Sequence, residues 1–514
     1  MEFDLLGGSL FFRWIGRLLD GIEHAAKTSG LVRFITWIRR LAAGSLLVRL
    51  CTRIADGFGA SIQRSAIVAR LLKEDEEGRF RERGIVFRLY QRQLNFTRRA
   101  WHKTGLGQSL AIRIFLKPWI WTVLTMAVIP LLPTMVILAL VLFSAASLYS
   151  AMLQDQKRTL TYSAVNKYVW LYMLVYGLAT LTSVTFRGSL PVGLITIGFL
   201  LFYHVLVSGI ETKRQVRTLL GVLAFAGALV SAYGMLQFLF PDIAGGASAW
   251  LDDEMFDFRR VYSTLANPNV LGTYFLLVIP LTFAGMLISK TNIGRLYFFG
   301  TAGLMCLCLL LTYSRGAYLG ILFAAAVFLV LLDRRFIVPG IVAVIVVFFA
   351  MPEAILQRMF SVGDLGDTST SFRVFIWMGT LSMLRDYWFS GVGPGEVAWA
   401  QVYPAYAFHT IVSPHSHNLF LQIMVDAGAP GLLVFLGVLY QFFKASFAAL
   451  RRKVQGAQRI LVIAGIASVV GFLVQAMTDY TFYNYRVMLF FWGVLAIGVI
   501  ATRYDKLREG GEGI

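Results

Sequence analysis

Residues 119–153 read "WIWTVLTMAVIPLLPTMVILALVLFSAASLYSAML" and contain no charged side chain. A helix needs about 20 apolar residues to cross the hydrocarbon core of a bilayer, so this stretch is too long for one span. Pro130 and Pro133 lie inside it, where a tight turn can separate two helices. We therefore predict two membrane-spanning helices in this segment.

Similar apolar runs continue along most of the chain. Of its 514 residues, 57% are hydrophobic and only 15% are charged. These runs predict an all-α, polytopic membrane protein with about twelve transmembrane helices and a large extracytoplasmic loop before the tenth. The ten predicted spans after the first two are at about 166–185, 189–209, 215–239, 269–289, 295–313, 316–332, 336–352, 418–446, 457–477 and 487–503.

The distribution of Lys and Arg predicts the topology. Cytoplasmic loops hold the excess of these residues in membrane proteins. If the basic N-terminus is cytoplasmic, every second predicted loop is basic, from Lys157 and Arg158 to Lys506 and Arg508 in the tail. Both termini are then cytoplasmic, and the long loops 240–268 and 353–417 face outward. The net charge of +19 reflects this topology, so we expect no nucleic-acid partner.

The N-terminal region differs in composition from the rest. In residues 1–117, basic residues interrupt each apolar run before it reaches spanning length, as in "LVRFITWIRRLAAGSLLVRL" at 31–50. We predict a basic, amphipathic region at the cytoplasmic membrane surface, followed by a transmembrane domain over 118–514. A small soluble helical domain or a partly disordered arm is the alternative. The opening residues lack the basic and compact apolar regions of a cleavable signal peptide.

Three arginines on the outward side oppose the usual charge bias. Arg315 lies in the short connection "TYSRGAYLG", while Arg260 and Arg373 lie in the two long outer loops. A guanidinium group binds phosphate oxygens in pairs and stays charged, so these residues predict a diphosphate site. The alternatives are contact with lipid headgroups for Arg315 and an ordinary surface position for the other two. We interpret "NPN" at 267–269 as structural, with Asn269 capping the next span.

The segment "SPHSHNLF" at 413–420 permits three interpretations. His415 and His417, with His409 upstream, suggest a zinc site, but no Cys or tight carboxylate cluster adjoins them, so we expect no metal. A second interpretation is a helix cap, which suits Asn418 at the start of an apolar run. The third is a general base, because a neutral imidazole accepts a proton near pH 7. From the residues alone, either His415 or His417 is a candidate for this base.

Three acidic residues are candidates for supporting roles. Glu396 in "GVGPGE" is either a second carboxylate of the site or an ordinary loop residue. Asp426 falls within the membrane zone, where a charge needs a partner, and we predict that it orients a histidine or pairs with an arginine. Asp479, in the outward "TDYTFYNYR" connection, is the third.

Taken in order, the segments "RRVYSTLANPN", "TYSRGAYLG", "SFRVFIW", "GVGPGE", "SPHSHNLFLQIMVDAGAPG" and "TDYTFYNYR" resemble those of the O-antigen ligase and polymerase superfamily of membrane glycosyltransferases. The resemblance covers about residues 120–503 and leaves the N-terminal region unexplained. It implies that a glycan is transferred from an undecaprenyl diphosphate carrier to a hydroxyl on lipid, glycan or protein, without metal or other cofactor. The reaction is expected at the outer face of the bacterial cytoplasmic membrane.

The same resemblance assigns roles to individual residues. It implies that His417 deprotonates the acceptor hydroxyl and that Arg260, Arg315 and Arg373 bind the diphosphate. We therefore prefer His417 as the base, with His415 as a supporting or merely structural neighbour. An anion transporter of the bicarbonate type is the alternative function, although the ionisable residues gather at one face rather than at mid-membrane. A peptidoglycan polymerase of the shape-and-division type would share the architecture but not the histidine segment.

Overall fold

The computed structural model describes residues 85–103, 110–155, 157–240, 260–333, 349, 368–452 and 454–509. The chain divides into two compact units, Met1–Arg88 and Leu89–Ile514, and only 85–88 are described in the first. The described residues are helical, and a single bridge between Thr212 and Arg508 is their only β-type pairing. Their α-helices are α1 Ile85–Lys103, α2 Leu110–Phe115, α3 Pro118–Val128, α4 Thr134–Gln154, α5 Ala164–Leu181, α6 Phe186–Gly209, α7 Lys213–Leu239, α8 Pro268–Ile288, α9 Asn292–Leu310, α10 Arg315–Leu332, α11 Thr368–Tyr387, α12 Glu396–Val402, α13 Leu419–Arg451, α14 Gly456–Ala476 and α15 Tyr485–Ala501.

The all-α prediction is confirmed, whereas the number of twelve spans is not. Among the described residues, eight helices are long and apolar enough to cross a membrane, namely α4, α6, α7, α8, α9, α10, α13 and α14. The apolar helices α3 and α15 are shorter, and α5 occupies the predicted third span without joining the eight. The predicted ninth span, 336–352, lies outside the described residues apart from Phe349. The predicted turn is present, because α3 ends at Val128 and Pro133 precedes α4.

The connections predicted to be cytoplasmic meet at one end of the helix bundle. Arg508 pairs with Glu211 across 2.6 Å, which joins the tail to the α6–α7 connection. Arg459, near the start of α14, donates a hydrogen bond to the carbonyl of Leu331 at the end of α10 across 2.7 Å. Basic side chains thus satisfy carbonyls at helix C-termini here, where the helix dipole favours positive charge. Which side of the membrane this end faces remains a prediction.

At the opposite end, small residues bring α10 and α14 close together. A Cβ atom added to Gly320 would lie 2.7 Å from the carbonyl oxygen of Gly471, a distance that real Cβ atoms do not adopt. One turn earlier, a Cβ at Gly316 would lie 3.1 Å from Cγ of Gln475. Glycines allow helices in a membrane to approach at backbone distance. The first turn of α10 therefore packs directly on the last turn of α14.

The predicted outer loop 353–417 is partly helical. Residues 353–367 lie outside the described range, and α11 and α12 follow. The loop between α11 and α12 is fastened to the bundle, because Val392 N–H donates to the Val425 carbonyl across 2.7 Å. Helix α13 is broken at Ala427 and Gly428, and a Cβ at Gly428 would overlap the carbonyl of Phe389. This break in α13 receives the loop and fixes the outer helices against the membrane helices.

The N-terminal prediction falls mostly outside the described residues. Helix α1 is the largest described part of it, and it carries basic residues along an amphipathic sequence. Its Arg98 donates to the carbonyl of Met152 near the end of α4 across 2.8 Å. The proposed membrane-surface location of 1–117 stays a prediction.

Candidate functional site

A polar pocket of about 430 Å³ lies where α8, α10, α11 and α14 meet, at the end of the bundle opposite the basic connections. Arg260, Arg315 and Arg373 all line it, together with Asp479. The structure therefore brings the three predicted arginines together at one pocket. Three guanidinium groups against one carboxylate leave the pocket positively charged, which suits an anionic ligand. Its other lining residues are Asn269, Tyr313, Ser314, Gly316, Gln475 and Thr478.

Arg260 is held by two oxygen atoms. Its Nε donates to the carbonyl of Thr312 and its Nη2 to Oδ1 of Asn269, each across 3.0 Å. The assignment of Asn269 as the helix cap is wrong. Asn267 caps α8, because its Oδ1 accepts from the backbone N–H groups of Asn269 and Val270. The cap leaves the Asn269 side chain available to orient Arg260 in the pocket.

Arg315 is the first residue of α10 and is half-buried. Tyr313, two residues before it, has a φ of 49°, a left-handed conformation that costs about 1 kcal/mol in a non-glycine residue. This sharp connection lets α9 end and α10 begin within five residues, so Arg315 enters the pocket at the helix N-terminus. The partial positive charge of that terminus adds to the attraction for an anion.

His417 reaches the pocket through Asp479. The distance from His417 Nδ1 to Asp479 Oδ1 is 3.4 Å, long for a hydrogen bond, and the backbone N–H of Tyr480 donates to the same oxygen across 2.8 Å. This contact assigns the proton to Nδ1 and leaves Nε2 as an acceptor, which is the state of a general base. His417 also has a φ of 50°, so its position is imposed by the surrounding structure.

The carboxylate of Asp479 stays ionised in this setting. Burial alone would raise its pKa, but the hydrogen bond with His417 and the charge of Arg373 outweigh burial and hold the pKa below its usual range. Its side chain is 8% exposed, whereas that of His417 is 29% exposed. A shielded anion thus lies beside an imidazole that solvent or substrate can reach.

His415 is buried beneath His417 and remains neutral. Its ring stacks on Tyr483 with centroids 4.9 Å apart, and its Nδ1 accepts from the backbone N–H of His417 across 3.3 Å. Burial and the nearby His417 lower the pKa of His415 to about 3, against a small opposing effect of Asp479. An uncharged His415 therefore accepts a hydrogen bond from the backbone of His417, and its supporting role stays a prediction.

The histidine segment is held from below by α13. Asn418 caps α13, as predicted, through Oδ1 contacts of 2.9 and 3.0 Å with the N–H groups of Phe420 and Leu421. Gln422, one turn into the helix, accepts from the backbone N–H of Ser416 across 2.8 Å. The segment immediately before and after His417 is thereby fixed to one helix.

Asp426 has other partners than those predicted. Among the described residues its carboxylate accepts from Tyr176 and from Gln422, both across 3.0 Å, and contacts neither a histidine nor an arginine. It is buried at a second cavity, among aromatic residues. Its connection to the histidine segment is indirect, because the Gln422 amide that it orients also binds Ser416.

Two further candidates lie away from the pocket. Glu396 is an exposed residue at the start of α12 and is not part of the pocket lining. His409 packs against the ring of Phe375 at a centroid distance of 5.0 Å, apart from the pair formed by His415 and His417. Among the described residues, no three His, Cys, Asp or Glu side chains are grouped to hold a metal ion.

The pocket also contains neutral residues that the sequence did not single out. Gln475 precedes Asp479 by four residues, which places both on one side of the α14 terminus, and this spacing was the available signal. Thr478 and Ser314 adjoin predicted residues. Neutral side chains in an apolar helix give no charge signal, so their part in the site becomes apparent only from the fold.

Residues 300–436 match the family model described as O-antigen ligase. The match confirms the resemblance predicted from the motifs and indicates a membrane glycosyltransferase of the ligase or polymerase type. With the eight apolar helices it indicates a multi-pass protein of the bacterial inner membrane, and it gives no support for the transporter alternative. Arg260 and Asp479 lie outside the matched segment. No curated protein matches the chain.

Proposed function

We propose that this protein of the O-antigen ligase superfamily transfers a glycan from undecaprenyl diphosphate to an acceptor hydroxyl at the outer face of the membrane. One observation carries the proposal: three arginines line a pocket in which the one carboxylate among the described lining residues contacts a ring nitrogen of a histidine. The arginines suit the diphosphate, and the histidine suits the hydroxyl proton.

In the proposed reaction, Nε2 of His417 takes the proton of the acceptor hydroxyl as its oxygen attacks the anomeric carbon. The bond between that carbon and the diphosphate oxygen breaks, and its electron pair leaves with the lipid diphosphate. Arg260, Arg315 and Arg373 bind this leaving group, while Asp479 stabilises the imidazolium that forms at His417. A single displacement of this kind inverts the configuration of the anomeric carbon.

The proposal also assigns the acceptor side to the region around His417. His417 belongs to the segment that joins α12 to α13 and its side chain is 29% exposed, so an acceptor hydroxyl can reach the imidazole. The acceptor is a hydroxyl of lipid, glycan or protein, and this choice distinguishes a ligase from a polymerase. No metal or other cofactor takes part in the proposed steps.

Reconstitution tests the proposal. Purified protein in proteoliposomes is supplied with a purified undecaprenyl diphosphate glycan and candidate acceptors, and the transferred glycan is measured. We expect His417→Ala to abolish turnover with little effect on donor binding, and Arg315→Ala to weaken donor binding. Turnover that survives both substitutions in correctly folded protein would refute the mechanism.

A further inference from the structure

Gln475 contains a buried acceptor atom with no partner. The residue is 1% exposed and lines the arginine pocket, and its Oε1 makes no hydrogen bond to any residue that the structure describes. An amide oxygen left unpaired inside a protein costs about 1–3 kcal/mol, so such atoms are rare unless a ligand satisfies them.

The orientation of this amide follows from its other end. Nε2 of Gln475 donates to the backbone carbonyl of Asn269 across 2.8 Å. The reversed amide would place two oxygen atoms against each other, so Oε1 is the atom left without a partner. The pocket therefore presents an acceptor, which requires a ligand that donates a hydrogen bond.

Gln475 lies between Arg260 and Arg315 and is connected to each through a neighbouring residue. Asn269 connects it to Arg260, because the backbone oxygen of Asn269 accepts from Gln475 and its side-chain oxygen accepts from Arg260. On the other side, Cγ of Gln475 packs against Gly316, the residue after Arg315. A diphosphate has no hydrogen to donate when ionised, but the sugar attached to it carries hydroxyl or amide N–H donors.

We infer that Gln475 binds a hydrogen-bond donor on the first sugar of the lipid-linked glycan and thereby distinguishes the loaded carrier from the bare lipid diphosphate. This inference rests on the proposed function. Recognition is expected because a site with a buried acceptor loses an interaction when the ligand lacks the matching donor. The discrimination also favours release of the bare carrier, which is the product.

Binding of two purified ligands tests the inference. The affinities of undecaprenyl diphosphate and of the undecaprenyl diphosphate glycan from producing cells are measured on the full-length protein in detergent. The wild type should bind the glycan-linked lipid more tightly. Gln475→Met keeps the size of the side chain but removes the acceptor, and it should reduce this preference by about 5- to 10-fold.

Two further variants of buried glutamines complete the design. Gln475→Glu retains the acceptor oxygen but adds a negative charge and replaces the N–H donor to Asn269 with an oxygen, so it should weaken the binding of both lipids and preserve their ratio. Gln458→Met changes a buried glutamine at the far end of α14, whose Nε2 also donates to a backbone carbonyl. This control should leave both affinities unchanged and shows what a buried Gln→Met change costs in thermal stability.

The outcomes separate the inference from the function on which it rests. If Gln475→Met leaves the ratio of the two affinities unchanged, the inferred sugar contact is wrong, whether or not the arginines bind diphosphate. If Arg315→Gln fails to weaken the bare lipid diphosphate, the proposed diphosphate site itself is wrong. A preserved ratio in Gln475→Glu together with a lost ratio in Gln475→Met would support the contact.

Discussion

The contact between Asp479 and His417 predicts that Asp479→Asn lowers kcat. Two unit charges 3.4 Å apart interact by about 5 kcal/mol at an effective dielectric constant of 20. The half-exposed imidazole is partly screened by water, and hydrogen bonds to charged groups contribute about 1.5–3 kcal/mol net. Since the contact is long, we take the lower end, which corresponds to a decrease in kcat of about 10-fold.

The same substitution should not weaken binding of the donor and could strengthen it. Among the described residues that line the pocket, Asp479 is the only carboxylate, and it lies near the charge of Arg373. Replacing it with a neutral amide makes the pocket more positive, so the KM of the anionic donor should stay equal or fall. A lower kcat with an unchanged or lower donor KM distinguishes loss of imidazolium stabilisation from general damage to the site.

The assay is initial-rate glycan transfer in proteoliposomes over a range of donor concentrations. Asp386→Asn is the matched control, because that carboxylate accepts from Tyr406 on the same side of the bundle but does not line the pocket. The control should keep both constants. A folded Asp479→Asn protein that retains kcat within about twofold, or that loses donor affinity instead, would show that Asp479 does not serve His417.

Three other predictions concern the supports of the site. Asn269→Ala should raise the donor KM about fivefold with a smaller effect on kcat, because the Arg260 guanidinium loses one of its two described oxygen partners; equal donor KM values would contradict this. Gly320→Ala should lower thermal stability by about 1–3 kcal/mol in detergent, whereas Gly300→Ala, where nothing lies within 4 Å of the added Cβ, should not. Burial lowers the pKa of His415 to about 3, so the folded protein keeps this ring neutral at pH values where the unfolded chain binds a proton. The stability contributed by His415 is therefore complete above its unfolded pKa of about 6.5 and is lost as the pH falls towards 3. Between pH 8 and pH 5 this loss approaches about 2 kcal/mol, so His415→Phe should reduce the pH dependence of thermal unfolding, and a variant with the wild-type profile would contradict the assignment.

The helices could be predicted from the sequence because apolar run length reports the thickness of the bilayer. The turn at Pro130 and Pro133 follows the same logic, since proline cannot continue a helix that needs its N–H. Short helices such as α3 show the limit of this signal. The length of an apolar run predicts how many residues are shielded from water, but it does not predict how many of them are helical.

The charged residues of the site could be predicted from the sequence, because the distribution of charge predicts on which side of the membrane a loop lies. Arg260, Arg315 and Arg373 line one pocket, and the sequence signal for them was that all three were predicted to oppose the charge bias on the same side of the membrane. The cap of α8 was missed although its signal was present: Pro268 suits the first helical position, which makes the preceding Asn267 the cap. For Asp426, no sequence signal indicates which helix it faces, and its partner Tyr176 lies 250 residues away.

The geometry of the pocket separates the two charges that the proposed reaction creates. A negative charge develops on the lipid diphosphate as it leaves, and the interactions that strengthen at that moment are the ones with the arginines. A positive charge develops on His417 as it accepts the proton, next to Asp479. Both counter-charges are in place before the reaction: the carboxylate stays ionised through its contacts with His417 and Arg373, and Arg260 is held by two oxygen atoms. In the proposed reaction, one proton and one glycan therefore move between groups whose counter-charges are already in place.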